Sequence, residues 1–213
     1  MPTRPEPPPR TAVVLVRHGL TPTTGKVLPG RAPGLHLADE GKRQAALVAE
    51  RIAGLDKVAA VYSSPLERAR ETAAPVARAL GIRTKIERGL IECDFGDWTG
   101  ARLSSLSKQP DWRVLQRHPS GFRFPGGESL SEMASRARDA IERLVRSHKG
   151  ATVVAVSHAD PIKAAVADAV GTHLDLFQRI CISPCSVTVI SYVPEGPEVL
   201  TVNNTGSLSG LGL

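Results

Sequence analysis

The chain has 213 residues, 41% hydrophobic and 23% charged, the profile of one ordinary globular domain that needs no disulfide or metal staple. A net charge of +6 favours anionic partners: nucleic acid, an acidic membrane surface or phosphorylated metabolites. No basic run of five and little aromatic interleaving mean that nucleic acid is not expected as a partner; no stretch nears the ~18 apolar residues of a membrane span, so no membrane is expected; and the charge suits plain surface decoration equally well.

Residues 1–10 are proline-rich, carry no apolar core of a secretory signal, and are expected to form an extended arm. A single domain over 11–213 is expected after it. Ala12-Val13-Val14-Leu15-Val16 is wholly apolar, as in a strand buried on both faces. A Gly-, Pro- and Thr-rich loop over 19–37 precedes a helix of about fifteen residues from Asp39, with Ala45, Val48, Ile52 and Leu55 on one face. Val58 to Tyr62 reads as a second buried strand. Ser64-Pro65-Leu66-Glu67 predicts a capping box with proline at the first helical position, opening a helix that stops at Gly81. A short strand is expected near Thr84 to Ile86.

Residues 88–127 lack a period and read as an irregular insertion. Ser129-Leu130-Ser131-Glu132 predicts a second capping box, followed by a helix burying Leu130, Met133, Ala137, Ile141 and Leu144. Thr152 to Val156 is again a buried-type strand, and a helix begins at Asp160-Pro161. Two final strands, Ser186 to Tyr192 and Glu198 to Val202, flank a turn and form a hairpin or paired edge; such edges can join subunits, so a homo-oligomer is possible. Strands alternating with helices predict an α/β fold: a three-layer sandwich with a mostly parallel central sheet and helices on both faces.

Two of these strands deliver a histidine at the carboxyl end, His18 after Arg17 and His158 after Ser157. That edge of an open α/β sheet is where ligands bind. Gly19 is read as letting the backbone turn there. Arg68, in the first turn after the second strand, reaches the same edge. Two guanidiniums and two imidazoles in one place repel each other unless an anion joins them, and a phosphate dianion suits bidentate guanidinium pairing.

Arg17-His18-Gly19 with Thr21, Ser63-x-x-Leu66-x-Arg68-Ala69-x-x-Thr72-Ala73, Leu90-x-Glu92-x-x-x-Gly96-x-Trp98-x-Gly100 and Ser157-His158 together resemble the histidine phosphatase (phosphoglycerate mutase-like) superfamily. The resemblance implies that His18 is the nucleophile, forming a phosphohistidine, and that Arg17, Arg68 and His158 hold the phosphoryl oxygens. It implies that Glu92 protonates the leaving alkoxide and later activates water. Thr21, Thr24 and the backbone N–H of Ala159 are expected to contact phosphate. Neither metal nor cofactor is implied. His36, His118, His148 and His173 lack metal-ligand spacing and are expected at the surface. Cys93, Cys181 and Cys185 form no CxxC pair and suit a reducing cytosol, so a cytoplasmic location is expected, with Cys181 and Cys185 packing as small hydrophobes.

The chain departs from the family pattern at four places. Thr24 stands where the family has Asn; Leu37-Ala38 replaces Leu-Thr; Thr99 replaces Glu; and Ala159-Asp160-Pro161 follows the second histidine. Asp160 would repel phosphate unless it turns to cap its own helix, which is expected. The stretch from Glu92 to His158 is short, as in the family's phosphatases, and a phosphomonoester hydrolase is the favoured reading. The alternative is a cofactor-dependent phosphoglycerate mutase or related phosphomutase. Non-turnover rivals are a phosphohistidine carrier and a nucleic-acid-associated protein. Arg102, Trp112 and Arg123 are expected to line the pocket.

Overall fold

The computed structural model describes residues 10–213, so the proline-rich arm lies, up to residue 9, outside the described residues. Strands form at the short β-branched runs. β1 (Thr11–Arg17), β2 (Val58–Ser63), β3 (Thr84–Ile86) and β4 (Thr152–Ser157) are parallel, while β5 (Val187–Val193) and β6 (Gly196–Asn204) are added antiparallel. The order across the sheet is β3-β2-β4-β1-β5-β6. This is the α/β sandwich that the alternation of strands and helices predicts.

Alternate residues of the central strands supply two cores. Val14, Val16, Val154 and Val156 pack against α1 (Asp39–Ala53) and α2 (Glu67–Leu80) on one face. Val13, Leu15, Val153 and Ala155 face the opposite way. Measured along the chain, α3 (Leu103–Leu106) and α4 (Pro110–Arg117) come next, and it is α5 (Leu130–Ser147) and α6 (Ala159–Ala169) that cover that second face. Strands buried on both sides need no polar alternation, hence their continuous apolar runs.

The segment over 88–127 is more ordered than its sequence suggests. It holds α3, α4 and three 3-10 turns wrapped on a third apolar cluster. All four phenylalanines and both tryptophans of the chain belong to that cluster. Scarce aromatics are thus concentrated in one place, and Trp98 meets Phe122 and Phe124 with ring centroids 5.5 Å away in both cases. Short helices here draw their stability from that packing rather than from periodicity, which is why no period announces them.

The second predicted capping box is present: Ser129 Oγ accepts from the Glu132 N–H and the Glu132 carboxylate accepts from the Ser129 N–H. The first is not. α2 begins at Glu67, its cap residue is Leu66, and no side chain caps it. Ser64 is instead drawn towards His158, a competing use of the same hydroxyl. Gly81 ends the helix in the left-handed conformation, as its position predicts.

Gly19 does not have a left-handed backbone; its missing side chain serves close approach. A Cβ on Gly19 would lie 2.6 Å from the Gly41 carbonyl oxygen, and one on Gly41 would lie 2.0 Å from the Leu20 carbonyl oxygen. The loop after β1 is thereby pressed onto the first turn of α1. Gly41→Ala is expected to destabilise the protein by about 1–3 kcal/mol, because both clashing atoms are backbone. Urea unfolding measures this, and an unchanged midpoint with an unchanged slope would contradict the contact.

Candidate active site

Register brings the two histidines together. β1 and β4 are neighbours with Arg17 opposite Ser157, and the His18 N–H donates to the Ser157 carbonyl at 3.0 Å. The imidazole centroids of His18 and His158 are consequently 5.2 Å apart. His18 Nδ1 lies 2.8 Å from the Gly19 carbonyl oxygen. A carbonyl can only accept, so Nδ1 carries the proton and Nε2 keeps its lone pair. Gly19 is itself anchored, its N–H donating to Thr72 Oγ1 at 3.0 Å.

Arg68 is fully buried although it is the largest such side chain in the molecule. Its Nε donates to His18 Nε2 at 3.3 Å and its Nη2 to the Gly30 carbonyl at 2.8 Å. Arg17 donates through Nη1 to the Ile182 carbonyl at 2.5 Å. His158 Nε2 is 2.7 Å from Ser64 Oγ. Three buried nitrogens on these groups have no hydrogen-bond partner among the described residues: Arg17 Nε, Arg68 Nη1 and His158 Nδ1. Each unmade bond of this kind costs about 1–3 kcal/mol. Guanidinium N–H groups so placed are suited to acceptor oxygens.

Electrostatics point the same way. Burial, then the Arg68 charge, pushes the His18 pKa down to about 3, and burial with Arg68 holds His158 well below the usual histidine range. Both imidazoles are therefore neutral near neutrality. Burial also lowers Arg17 and Arg68, but guanidinium remains charged. Two fixed positive charges thus flank two neutral imidazoles.

Arg17, His18, Thr21, Thr24, Glu92 and Ala159 line one cavity of about 490 Å³. Thr24 Oγ1 accepts from the Thr21 N–H at 2.9 Å and lies 2.9 Å from Thr21 Oγ1. The two threonine hydroxyls therefore form a pair at the cavity wall, where the family pattern has an amide. Asp160 does not cap its helix: the cap residue of α6 is His158, without a side-chain bond, and Asp160 pairs with Lys163 in the same cavity. The expected capping role is corrected by this pairing.

Glu92 is buried, and its Oε1 accepts from the Cys93 N–H at 3.0 Å. Burial first, and the Asp160 charge second, raise its pKa to about 7 against the pull of Arg68 and Arg17. Its main-chain carbonyl is clamped by Arg31 Nε at 2.9 Å and Arg136 Nη2 at 3.3 Å. Glu128 holds both arginines, with Arg31 Nη2 at 2.9 Å and Arg136 Nε and Nη2 at 2.8 Å each. Sequence reasoning missed Arg31 and Arg136 because they act on a backbone atom across 61 and 44 residues of chain, and Glu128 because it acts only through them, with no local spacing to reveal it.

Several other expectations are corrected. Arg102, Trp112 and Arg123 do not line the cavity. Trp112 stacks on Trp98, Arg123 pairs with Glu132, and Arg102 lies in a β-bridge to Val27. Lys163, Gln178, Cys181 and Ser183 stand there instead. Cys181 is exposed, not packed, whereas Cys185 is buried and its thiol is pushed up to about 12 by burial. The surface placement expected of His36, His118 and His173 holds, since they are exposed beside Glu71 and Asp175, while His148 is half-buried and meets the Tyr62 hydroxyl at 3.0 Å.

Fold and geometry together bring two histidines and two arginines to the carboxyl edge of an α/β sheet. The chain matches the histidine phosphatase superfamily (branch 1) over residues 13–205 and belongs to it. It is 33% identical over 202 residues to the Mycobacterium tuberculosis bifunctional protein Rv2228c, a match covering 93% of this chain and 55% of that one. This chain therefore spans about half the length of the first curated relatives it matches. It is 32% identical over 198 residues to phosphoserine phosphatase 1 of Hydrogenobacter thermophilus, covering 91% and 92% of the two chains. Among solved structures, mycobacterial glucosyl-3-phosphoglycerate phosphatase Rv2419c superposes with a TM-score of 0.83 at 25% identity, over 92% of this chain and 100% of that one. Among the described residues no helix is long and apolar enough to cross a membrane.

Proposed function

We propose that the protein is a metal-independent phosphomonoester hydrolase that works on a small phosphorylated metabolite through a phosphohistidine on His18. The single observation that carries this is the set of three unpartnered buried nitrogens, on Arg17, Arg68 and His158, residues that adjoin a His18 whose Nε2 keeps its lone pair. The printed names of the relatives, phosphatases of phosphoserine and of glucosyl-3-phosphoglycerate, support the same reaction class.

In the first step His18 Nε2 attacks phosphorus in line and the bond from phosphorus to the ester oxygen breaks. The leaving oxygen takes the Glu92 proton. Arg17, Arg68 and His158 hold the equatorial oxygens, replacing the long Arg68–His18 contact with charge-assisted bonds. Thr21, Thr24 and the Ala159 N–H contribute further donors. In the second step the Glu92 carboxylate takes a proton from water as that water attacks phosphorus. The N–P bond then breaks and inorganic phosphate leaves. Positive charge comes from guanidinium groups throughout, so no metal has a role to fill.

Hydrolysis of p-nitrophenyl phosphate should proceed in EDTA, with release of inorganic phosphate matching release of p-nitrophenolate. Dependence of the rate on an added divalent ion would overturn the metal-independent part. Transfer between 3-phosphoglycerate and 2-phosphoglycerate outpacing hydrolysis would favour the mutase reading instead.

A further inference from the structure

Two consecutive residues of the loop after β1 tie the two halves of the site together. The Gly30 carbonyl accepts from Arg68 Nη2 at 2.8 Å, and Arg31 Nε donates to the Glu92 carbonyl at 2.9 Å. One peptide unit therefore joins a group that faces phosphoryl oxygens to the group that faces the leaving oxygen. Gly30 has a φ of 50°, and a Cβ there would lie 2.9 Å from Thr99 Oγ1, so this peptide has little room to turn.

Glu92 depends on such a tie. Residues 92–95 lie in neither helix nor strand, so no backbone ladder holds them. Among the described residues the Glu92 carboxyl bonds only to the N–H of Cys93, at 3.0 Å. That bond is local and travels with the main chain, so the main chain decides where the carboxyl points. Two guanidiniums hold it: Arg31, and Arg136 of α5, which also donates to the Gly89 and Ile91 carbonyls at 2.9 and 2.7 Å. Glu128 orients both, and with its side chain only 14% exposed, water competes weakly for these bonds. Burial raises the Glu128 pKa, but the bonds and charge of Arg136 outweigh it, and the net direction is downward. A buried ion network of this kind adds little stability over apolar packing, but the planar guanidinium fork fixes direction.

We propose that Arg31, oriented by Glu128, is a positioning residue: it sets the Glu92 carboxyl against Arg68, so that the acid meets the leaving oxygen of the bound ester. Arg31 does not line the cavity, so it acts through Glu92 and not on the substrate. A displacement of about 1 Å from reacting geometry can cost about 10²-fold in rate. This rests on the phosphatase reading above and adds the residue that registers its acid.

The test compares first-turnover rates on phenyl phosphate and p-nitrophenyl phosphate. Phenolate, about as basic as tyrosinate with its pKa of about 10, leaves with a proton, whereas p-nitrophenolate leaves without one. Arg31→Met should lower the ratio of phenyl to p-nitrophenyl rate by about tenfold, while the inhibition constant of inorganic phosphate moves by less than about twofold. In a Glu92→Gln background the same substitution should leave the ratio where Glu92→Gln alone puts it, because a residue acting through the Glu92 acid then has nothing to act on. A merely structural residue slows both substrates together, moves the phosphate constant as far as the rates, and adds its effect in either background; any of these results overturns the proposal. If Arg31→Met does not fold, Glu128→Gln is read in the same way. No turnover of p-nitrophenyl phosphate by the wild type overturns the phosphatase reading and this inference with it. Wild-type turnover with a ratio that the substitution leaves unmoved overturns this inference alone.

Discussion

His18→Ala is expected to lower kcat by about 10⁴-fold or more, because it removes the atom that bonds to phosphorus while leaving the oxyanion groups in place. Nothing near it can substitute. His158 is at a centroid distance of 5.2 Å, but its Nε2 is engaged by Ser64. Phosphate binding should survive the substitution, since Arg17 and Arg68 remain. Mass spectrometry of the wild-type protein quenched during turnover at alkaline pH should find phosphate on His18, and a label on any other residue would contradict the assignment.

The same substitution carries a stability signature. In the folded protein the His18 pKa is lowered to about 3, from 6.5, so between those values the unfolded chain binds more protons. Stability contributed by this group is therefore present above pH 6.5 and lost progressively as pH falls towards 3. His18→Ala removes that loss. Thermal unfolding of the variant should fall less steeply from pH 7 to pH 5 than that of the wild type; equal slopes would mean that the imidazole is not held neutral by its surroundings.

How far the sequence discloses this arrangement depends on the range of the interactions. The runs at residues 12–16 and 152–156 disclose their strands because burial on both faces is written in consecutive residues. The register that places His18 beside His158 is not local, yet each histidine sits at the same position relative to its strand, and parallel pairing does the rest. Ser64 misleads because Ser-Pro-x-Glu is a sound capping signal; a buried imidazole at 2.7 Å outcompetes it. The clamp on Glu92 has no local signal, because it depends on where the 88–127 segment folds back, which a cluster of aromatics from distant positions decides. The pair Asp160–Lys163 is local, an i,i+3 spacing on one helix, and competes with the capping role that the position of Asp160 suggests.

Glu92→Gln should separate substrates by their leaving groups. For an alkyl phosphate, whose alkoxide must be protonated, kcat is expected to fall by about 10²–10⁴-fold. p-Nitrophenolate leaves without a proton, so its release in the first turnover should persist as a burst equal to the enzyme concentration, followed by slow water attack. No burst with both steps equally slow would argue that Glu92 only shapes the cavity. The pH dependence follows from its environment. With the pKa at about 7, raised chiefly by burial and then by Asp160, the acid form of Glu92 is lost as pH rises, and kcat/KM for alkyl phosphates should decline through that value. Asp160→Asn removes a raising charge and should move the limb to lower pH. Stability runs the opposite way to that of His18: from the usual 4.5 to about 7 the folded state binds more protons, so the wild type loses stability as pH rises across that window. Glu92→Gln, which never ionises, should gain stability relative to the wild type at pH 8 and gain none at pH 4. A variant equally offset at both values would show that the buried carboxyl titrates normally, and would remove the basis for its role as the proton donor.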